Sequence, residues 1–407
     1  MTSRQGPRGV LIIVENLPVP FDRRVWQEAT ALKEAGYAVS VICPKGRGHT
    51  LAEETIAGIN VYRHSLPLEA SGASGYFIEY GAALFWELFL SFRVLRRHGF
   101  DVIHACNPPD LIFLVAAVHK LLSGKKFIFD QHDLNPELYE VKFGRRGFFH
   151  RLLRLFERLT FRLADASIAT NQTFKSIAVA RGGMAPDKVW VVKSYPDLGR
   201  FKRVKPEAAL RQRFRLIAGY VGIIASQDGV DLLVRAMAHI RWHMERPDIG
   251  CVIIGNGPEY ENLMALARQL EVEDRVVFTG YLGGEALLAH LSALDIGVIP
   301  DPPNPCNDKL SMNKVFEYMA LGLPFVQFDL PQSRGEAGEA AVVAREATPV
   351  ALAEAMVGLL DDGAARQRMG AYGLATAQRD FQWANEKQAL LGAYRQVIGP
   401  AEDTGPT

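Results

Sequence analysis

The chain has 407 residues, 48% of them hydrophobic, and a formal charge of +1 at pH 7, so two domains are expected and no nucleic-acid partner is indicated. Its four cysteines lie far apart without a C-x-x-C pair, which argues against a zinc ribbon or disulfide framework and favours reduced thiols in the cytoplasm. The N-terminal apolar run is one strand long, and no segment reaches the ~20 apolar residues of a spanning helix, so neither a signal peptide nor a transmembrane anchor is expected.

The first half of the chain alternates short apolar runs with helical patterns, which is typical of a doubly wound α/β domain with a parallel sheet. Such domains bind ligands at the carboxyl ends of their strands. Helices are predicted at Arg23–Glu34 and Pro109–Leu122. The predicted strands are Gly9–Glu15, Ala38–Cys43, Ile59–His64, Asp101–Ala105, Lys126–Asp130, Ala166–Thr170 and Lys188–Val192.

Two segments of this half suggest a membrane surface. Tyr76–Arg97 is predicted to be a helix with more apolar surface than one core contact needs, because Trp86 and Leu90 lie outside its apolar stripe. Lys142–Arg162 carries seven Lys or Arg residues against one acid, Glu157, which predicts a basic amphipathic helix. The alternative is a core-packing helix with a solvated basic face. The stripe of the first helix comprises Phe77, Leu84, Leu88, Phe92 and Leu95, opposite Glu79 and Arg97.

A polar stretch at Ser194–Val204 separates this half from a second βαβ series. We therefore predict domains at residues 1–198 and 199–382, with residues 383–407 forming a helix that packs back on the first domain and a flexible tail. Further helices are predicted at Val230–Trp242, Glu259–Leu270 and Trp383–Val397. The strands predicted in the second half are Arg215–Gly222, Ile249–Ile254, Arg275–Phe278, Asp295–Ile299, Pro324–Phe328 and Ala340–Val343.

The stretch Asn307–Asp329 predicts a polar loop, a helix over Asn313–Leu321 and a buried strand. A helix that begins after a loop rich in lysine and hydroxyl groups favours phosphate, because its first N–H groups and its dipole attract anions. Glu317, one turn into the helix, could accept hydrogen bonds from sugar hydroxyls. Phosphate and hydroxyls together indicate a nucleotide or a nucleotide-sugar.

Several motifs together resemble glycosyltransferase family 4, and the similarity covers nearly the whole chain. The first domain resembles the branch of the family that builds O-antigen and exopolysaccharide. The motifs are FDRRVWQEA at 21–29, DQHDLNPE at 130–137, GNGPEYENL at 255–263, VVFTGY at 276–281, ALDIGVIP at 293–300 and FEYMALGLP at 316–324.

This resemblance implies a GT-B fold of two Rossmann-like domains facing a cleft. It also implies retaining transfer from a nucleotide-sugar, with UDP favoured, to a glycan or polyprenyl-linked acceptor in bacterial surface polysaccharide synthesis. The enzyme would act in the cytoplasm, and the inner face of the cytoplasmic membrane is the more specific location left open. The chain has no Asp-x-Asp pair, and the resemblance implies no metal and no other cofactor.

On the donor side, the resemblance assigns Glu317 to the ribose hydroxyls. The family's first donor-helix glutamate is replaced by Lys309, and the family's Arg and Lys after the first strand of the second domain are missing. We therefore predict that Lys309 and Lys314 contact the diphosphate. Backbone groups near Gly222, and the helix start at Ser311 and Asn313, are expected to assist, and a turn at Gly255 and Asn256 would lie near the base.

On the acceptor side, His132 and Asp133 follow a predicted strand end and are the candidate catalytic residues. A neutral His132 could accept hydrogen bonds from sugar hydroxyls, and Asp133 could act as a base; a structural histidine is the alternative. Asn107 lies at another strand end. Asp22 and Arg23 could line the acceptor side, although Asp22 is also a good helix N-cap.

Three other functions stay open. A GT-B nucleotide-sugar epimerase would convert its substrate without an acceptor, and a non-catalytic homologue would bind the nucleotide-sugar without turnover. A nicotinamide dehydrogenase is disfavoured, because neither domain opens with a full G-x-G-x-x-G motif.

Overall fold

The computed structural model describes residues 6–65 and 73–401, apart from the side chains of 73–80. These residues form two compact units. The first contains the described residues up to Ser194 and those from Ala384 onward, and the second is Tyr195–Trp383. Each unit is built on its own sheet, as the predicted fold class requires. Within the described ranges, no helix combines the length and apolar character needed to cross a bilayer.

The first unit contains an eight-stranded sheet in the order β3-β4-β2-β1-β5-β6-β7-β8. All pairings are parallel except β3 with β4. The strand β3 was not predicted from the sequence, because this edge strand is short and polar and carries no buried apolar run. The strands are β1 (Gly9–Ile13), β2 (Ala38–Pro44), β3 (Glu53–Ile56), β4 (Ile59–His64), β5 (Val102–Cys106), β6 (Lys126–Gln131), β7 (Ala166–Ala169) and β8 (Val189–Val191).

Among the residues that the structure describes, six helices connect these strands. Because crossovers between parallel strands are right-handed, the helices between β4 and β5, between β5 and β6 and between β6 and β7 lie on one face of the sheet. The helix between β1 and β2 lies on the other face. The helices are α1 (Arg23–Glu34), α2 (Ala73–Arg97), α3 (Phe113–Ser123), α4 (Asn135–Phe143), α5 (Phe148–Leu163) and α6 (Gln172–Ala180).

The second unit contains six parallel strands in the order β11-β10-β9-β12-β13-β14. The strand order reverses at β9, whose neighbours β10 and β12 come later in the chain, and ligands bind at such switch points. The strands are β9 (Leu216–Val221), β10 (Ile249–Ile254), β11 (Val276–Gly280), β12 (Ile296–Ile299), β13 (Phe325–Gln327) and β14 (Ala341–Val343). The helices are α7 (Ala208–Arg213), α8 (Val230–Trp242), α9 (Tyr260–Gln269), α10 (Gly284–Ser292), α11 (Asn313–Ala320), α12 (Pro331–Ala337), α13 (Pro349–Asp361) and α14 (Gly363–Asp380).

The last helix, α15 (Trp383–Ile398), belongs to the first unit. Its buried Tyr394 hydroxyl lies 2.6 Å from Nδ1 of His104 on β5. Gln396 accepts a hydrogen bond from the indole N–H of Trp190 at 2.9 Å. The C-terminal helix therefore completes the core of the first unit.

Two helices differ from the sequence predictions. The core-facing side of α2 includes Glu87 and Leu90, while the neighbouring aromatic residues Phe85, Trp86 and Phe89 are exposed. The prediction that Leu90 lies outside the core-facing stripe of this helix is therefore wrong. The predicted stripe member Phe77 and the opposing Glu79 lie outside the described side chains.

The predicted basic helix Lys142–Arg162 is two helices. Gly144, with φ of 64°, ends α4 in the left-handed region, and Gly147 precedes α5. The one acid of the segment, Glu157, is buried and pairs with Arg181 at 2.5 Å. The outer face of α5 therefore carries arginines and apolar residues without an exposed acid.

Candidate functional site

In the first unit, the carboxyl ends of β5 and β6 bring Asn107, His132 and Asp133 together. The Asn107 side-chain oxygen accepts hydrogen bonds from the backbone N–H groups of His132, at 2.8 Å, and Asp133, at 3.2 Å. Its side-chain N–H donates to the Asp133 carbonyl at 2.9 Å. Because Asn107 is buried, it fixes this turn rather than extending toward a ligand.

His132 is oriented by Asp130, whose Oδ2 lies 2.6 Å from its Nε2. Burial alone would raise the pKa of Asp130, but Arg24 and His132 hold it well below the usual range. The ionised carboxylate accepts from Nε2–H of His132 and, at 3.2 Å, from the Nε–H of Arg24, which lies 3.1 Å from the same ring nitrogen. Burial alone would lower the pKa of His132, yet Asp130 outweighs burial and raises it. With Nε2 committed to Asp130, Nδ1 is the ring nitrogen left for a ligand; it accepts a hydrogen bond when the ring is neutral and donates one when the ring is protonated.

Arg24 is the centre of this network, and no role was predicted for it from the sequence. Its Nη2 lies 2.9 Å from Asp130 Oδ1 and 3.1 Å from Glu28 Oε1. Its Nη1 donates to the Val192 carbonyl at 2.8 Å and to the Ser194 hydroxyl at 2.9 Å. The guanidinium thus joins α1, the end of β6 and the segment after β8. The sequence does indicate one part of this network, because Arg24 and Glu28 are four positions apart in a predicted helix and can form an ion pair there.

The residues predicted beside Arg24 take other positions. Asp22 caps α1, since its side chain accepts from the Val25 N–H at 3.1 Å. Its charge also acts on His132 and raises the pKa of that imidazole. Arg23 is exposed. The N-cap alternative for Asp22 is therefore confirmed.

Further carboxyl groups lie next to this turn. Asp110 is buried and accepts hydrogen bonds from Asn107, at 3.1 Å, and Asn135, at 2.7 Å. Burial nevertheless raises the pKa of Asp110 to about 7. Burial likewise raises the pKa of Asp133, which favours its protonated form relative to an ordinary aspartate.

In the second unit, two glycine turns approach each other at the carboxyl ends of β9 and β10. A Cβ on Gly255, whose φ is 147°, would collide with the carbonyl of Gly222, and one on Gly257 would collide with the backbone of Ile224. The N–H of Gly222 donates to the Ile254 carbonyl at 3.0 Å, and the N–H of Gly255 donates to the Gly280 carbonyl at 2.9 Å. Both N–H groups thus bond within the protein, so the role of the two glycines is to let neighbouring backbone segments approach closely. Asn256 is exposed on the turn.

Lys314, on the first turn of α11, lies in a network of its own. Its Nζ is 2.6 Å from Oδ2 of the buried Asp301, which follows β12, and 4.7 Å from the ring centroid of Tyr220. Asp228 lies close enough to Lys314 for the two charges to interact, and burial raises the pKa of Asp228 to about 6. Asp301 was not predicted as a site residue, although it is a polar residue that follows a buried strand after a single proline.

The other predicted donor-side residues surround the start of α11. Met312 occupies the N-cap position and has no side-chain oxygen to cap the helix. Asn313 is exposed, and Ser311 donates to Glu336 at 2.6 Å. Lys309 donates to the Pro305 carbonyl. The last predicted residue, Glu317, is only 5% exposed.

Comparisons with known proteins agree with this architecture. A model described as Glycosyltransferase Family 4 matches residues 22–198, and one described as Glycosyl transferases group 1 matches residues 215–362. The chain is 26% identical over 320 residues to 2-deoxystreptamine glucosyltransferase of Streptomyces kanamyceticus, covering 75% of this chain and 80% of that protein.

Solved structures share the fold over almost the full length. Sucrose-phosphate synthase of Thermosynechococcus elongatus superposes with a TM-score of 0.77 at 20% identity, covering 96% of this chain and 98% of that one. Anabaena HepE in complex with UDP-glucose gives a TM-score of 0.67 at 16% identity, covering 94% and 98%. The architecture common to these proteins is GT-B.

Proposed function

Because this chain belongs to glycosyltransferase family 4 and has the GT-B fold, we propose that it transfers a hexosyl or N-acetylhexosaminyl group from a UDP-sugar with retention of configuration. The observation that carries the proposal is the position of Glu317, a buried carboxylate one turn into α11, beside an N-terminus without a side-chain cap. A carboxylate accepts hydrogen bonds from ribose hydroxyls, and the helix start attracts phosphate. The complex of HepE with UDP-glucose supports UDP as the nucleotide.

The diphosphate, in this proposal, receives positive charge from α11 and from Lys314 and Lys309. Lys314 already donates to Asp301, but an ammonium group has three donors and can bond a phosphate oxygen as well. Asp301 would then hold the lysine in place. The helix dipole and N–H groups stabilise the leaving diphosphate, so the transfer itself is proposed to need no metal.

His132 would contact a sugar hydroxyl through Nδ1, because Asp130 holds its other nitrogen. The fixed ring orientation lowers the entropic cost of forming that contact when the substrate binds. Asp133, in the same turn, is the proposed acceptor-side base. Its raised pKa makes it a stronger base than an ordinary aspartate.

The acceptor is proposed to be a polyprenyl-linked glycan in bacterial surface polysaccharide synthesis, reached at the inner face of the cytoplasmic membrane. Three clustered aromatic side chains on α2 are exposed: Phe85 by 64%, Trp86 by 39% and Phe89 by 52%. On α5, exposed Phe148 and Leu155 alternate with exposed arginines. Apolar groups interleaved with cations suit an anionic lipid surface. The exposed arginines of α5 are Arg151, Arg154, Arg158 and Arg162.

The donor site is tested by replacing Glu317 with glutamine and measuring UDP-sugar hydrolysis and transfer with a panel of donors. Loss of a hydrogen bond to a charged group costs about 1.5–3 kcal/mol, so kcat/KM should fall roughly 10- to 150-fold. Glu261→Gln, an exposed residue of α9, is the control and should keep wild-type activity. Unchanged turnover in Glu317→Gln would place the donor elsewhere. UDP binding without turnover of any donor would favour the non-catalytic alternative.

The membrane proposal is tested by co-sedimentation with vesicles of phosphatidylglycerol and phosphatidylethanolamine. Each arginine near an anionic surface contributes about 1 kcal/mol, so Arg154→Gln with Arg158→Gln should weaken binding roughly 30-fold. Arg200→Gln with Arg215→Gln removes the same charge from exposed positions of the second unit and should leave binding unchanged. Equal losses in both pairs would show nonspecific attraction and refute a docking face on α5.

A further inference from the structure

Three buried acid and imidazole side chains meet on the α2 side of the first sheet, away from the network around Arg24. Glu15 follows β1, His64 is the last residue of β4, and Glu87 lies on α2. Their exposures are 5%, 3% and 0%. One ligand atom of each lies within 4.8 Å of the others, and Nε2 of His64 is 3.8 Å from Oε2 of Glu15.

This cluster contains buried polar atoms whose hydrogen bonds are not made. Neither ring nitrogen of His64 and neither carboxyl oxygen of Glu87 makes a regular hydrogen bond among the described residues, although the carboxyl groups of Glu87 and Glu15 are close enough to interact. Burying such groups without partners costs free energy, and a buried carboxylate costs the most. A proton shared between the two carboxyl groups would relieve their repulsion, but it would leave the imidazole without a partner.

We propose that Glu15, His64 and Glu87 bind one divalent transition-metal ion. Two carboxylates and an imidazole suit Zn²⁺ or Mn²⁺, because the nitrogen ligand disfavours Mg²⁺ and Ca²⁺. Ligand bonds of about 2.0–2.2 Å bring the bound atoms to roughly 3–4 Å from each other, so small side-chain rotations complete the site.

A second group of three possible ligands is formed by His104, Cys106 and Asp130, but we do not propose a metal ion there. Asp130 there already bonds to Arg24 at 2.9 Å and to His132 at 2.6 Å. Its negative charge is balanced by the guanidinium, so a cation has no comparable role at that position.

The proposed ion has a structural role. It would join the exit of β1, the end of β4 and the middle of α2, and so fix the start of the segment that leads to α1. It lies in the first unit, whereas the donor diphosphate is assigned to the second. The inference therefore does not depend on the proposed function, and metal-independent sugar transfer remains compatible with it.

The test measures metal in the purified full-length protein by inductively coupled plasma mass spectrometry. Chelator-stripped protein is then titrated calorimetrically with Zn²⁺ and with Mn²⁺. Wild type should bind one equivalent of at least one ion, and its thermal midpoint should rise on loading. Glu87→Gln and His64→Gln should bind that ion at least tenfold more weakly. His119→Gln replaces another buried histidine, whose Nε2 lies 2.8 Å from the Ser91 hydroxyl, and should bind as wild type does.

Two results would overturn the proposal. One is stripped wild type that binds neither ion, a measurement that holds even if a variant fails to fold. The other is folded Glu87→Gln that binds with wild-type affinity, which would assign the ion to another site. Neither readout uses sugar transfer, so failure here is separable from failure of the proposed function.

Discussion

Arg24→Met should destabilise the first unit strongly. The guanidinium is 11% exposed, and its loss leaves the fully buried carboxylates of Asp130 and Glu28 without their shared cation. Removing one partner of a buried ion pair costs about 3–5 kcal/mol. For a unit of this size, each kcal/mol lowers the thermal midpoint by roughly 2–4 °C, so a decrease of about 10 °C is expected.

Differential scanning calorimetry of the full-length protein measures this shift. Arg23→Met is the matched control, because it removes the preceding, exposed arginine of the same helix and should cost less than about 1 kcal/mol. Adding Glu28→Gln to Arg24→Met should lower the midpoint little further, because burial raises the pKa of Glu28 to about 7 and the loss of Arg24 raises it more, so that carboxyl group is already uncharged. Equal shifts for the two arginine variants would refute the central role of Arg24.

Two further predictions concern single positions. Burial raises the pKa of Asp110 from 3.8 to about 7, so the stability that this group contributes is complete below about pH 4 and is lost as the pH rises to 7. In urea unfolding, Asp110→Asn should therefore remove up to about 4 kcal/mol of the pH dependence of the unfolding free energy in that window. Gly257→Ala should weaken UDP binding in calorimetry, because a Cβ collides with the backbone of Ile224, whereas Gly335→Ala, where a Cβ meets open space, should not.

The repeated βαβ pattern could be predicted because parallel strands buried on both faces are continuous apolar runs. Every strand predicted in the two halves is present, with ends that differ by a few residues at most. The strand that was not predicted is β3, a polar edge strand that pairs with β4 alone. The helix α1 was predicted with its observed bounds, since Asp22 is a clear N-cap signal.

Side-chain partners were harder to predict, because they depend on which strand ends become neighbours. The sequence placed His132 at a strand end, but Arg24 reaches it from 108 positions away in the chain. The sequence also named Lys314 as a cation without revealing that Asp301 would bond to it. Assignments of Lys309, Lys314 and Glu317 to a bound donor stay predictions until ligand binding is measured.

The return of α15 to the first unit has a consequence for synthesis of the protein. Tyr394 and its neighbours are made after the whole second unit, so the unit that begins first cannot finish its core until α15 has left the ribosome. The second unit is continuous in the chain and can fold earlier, while the first still exposes the strand face that α15 will cover. Termination of translation before α15 would therefore damage the first unit and spare the second.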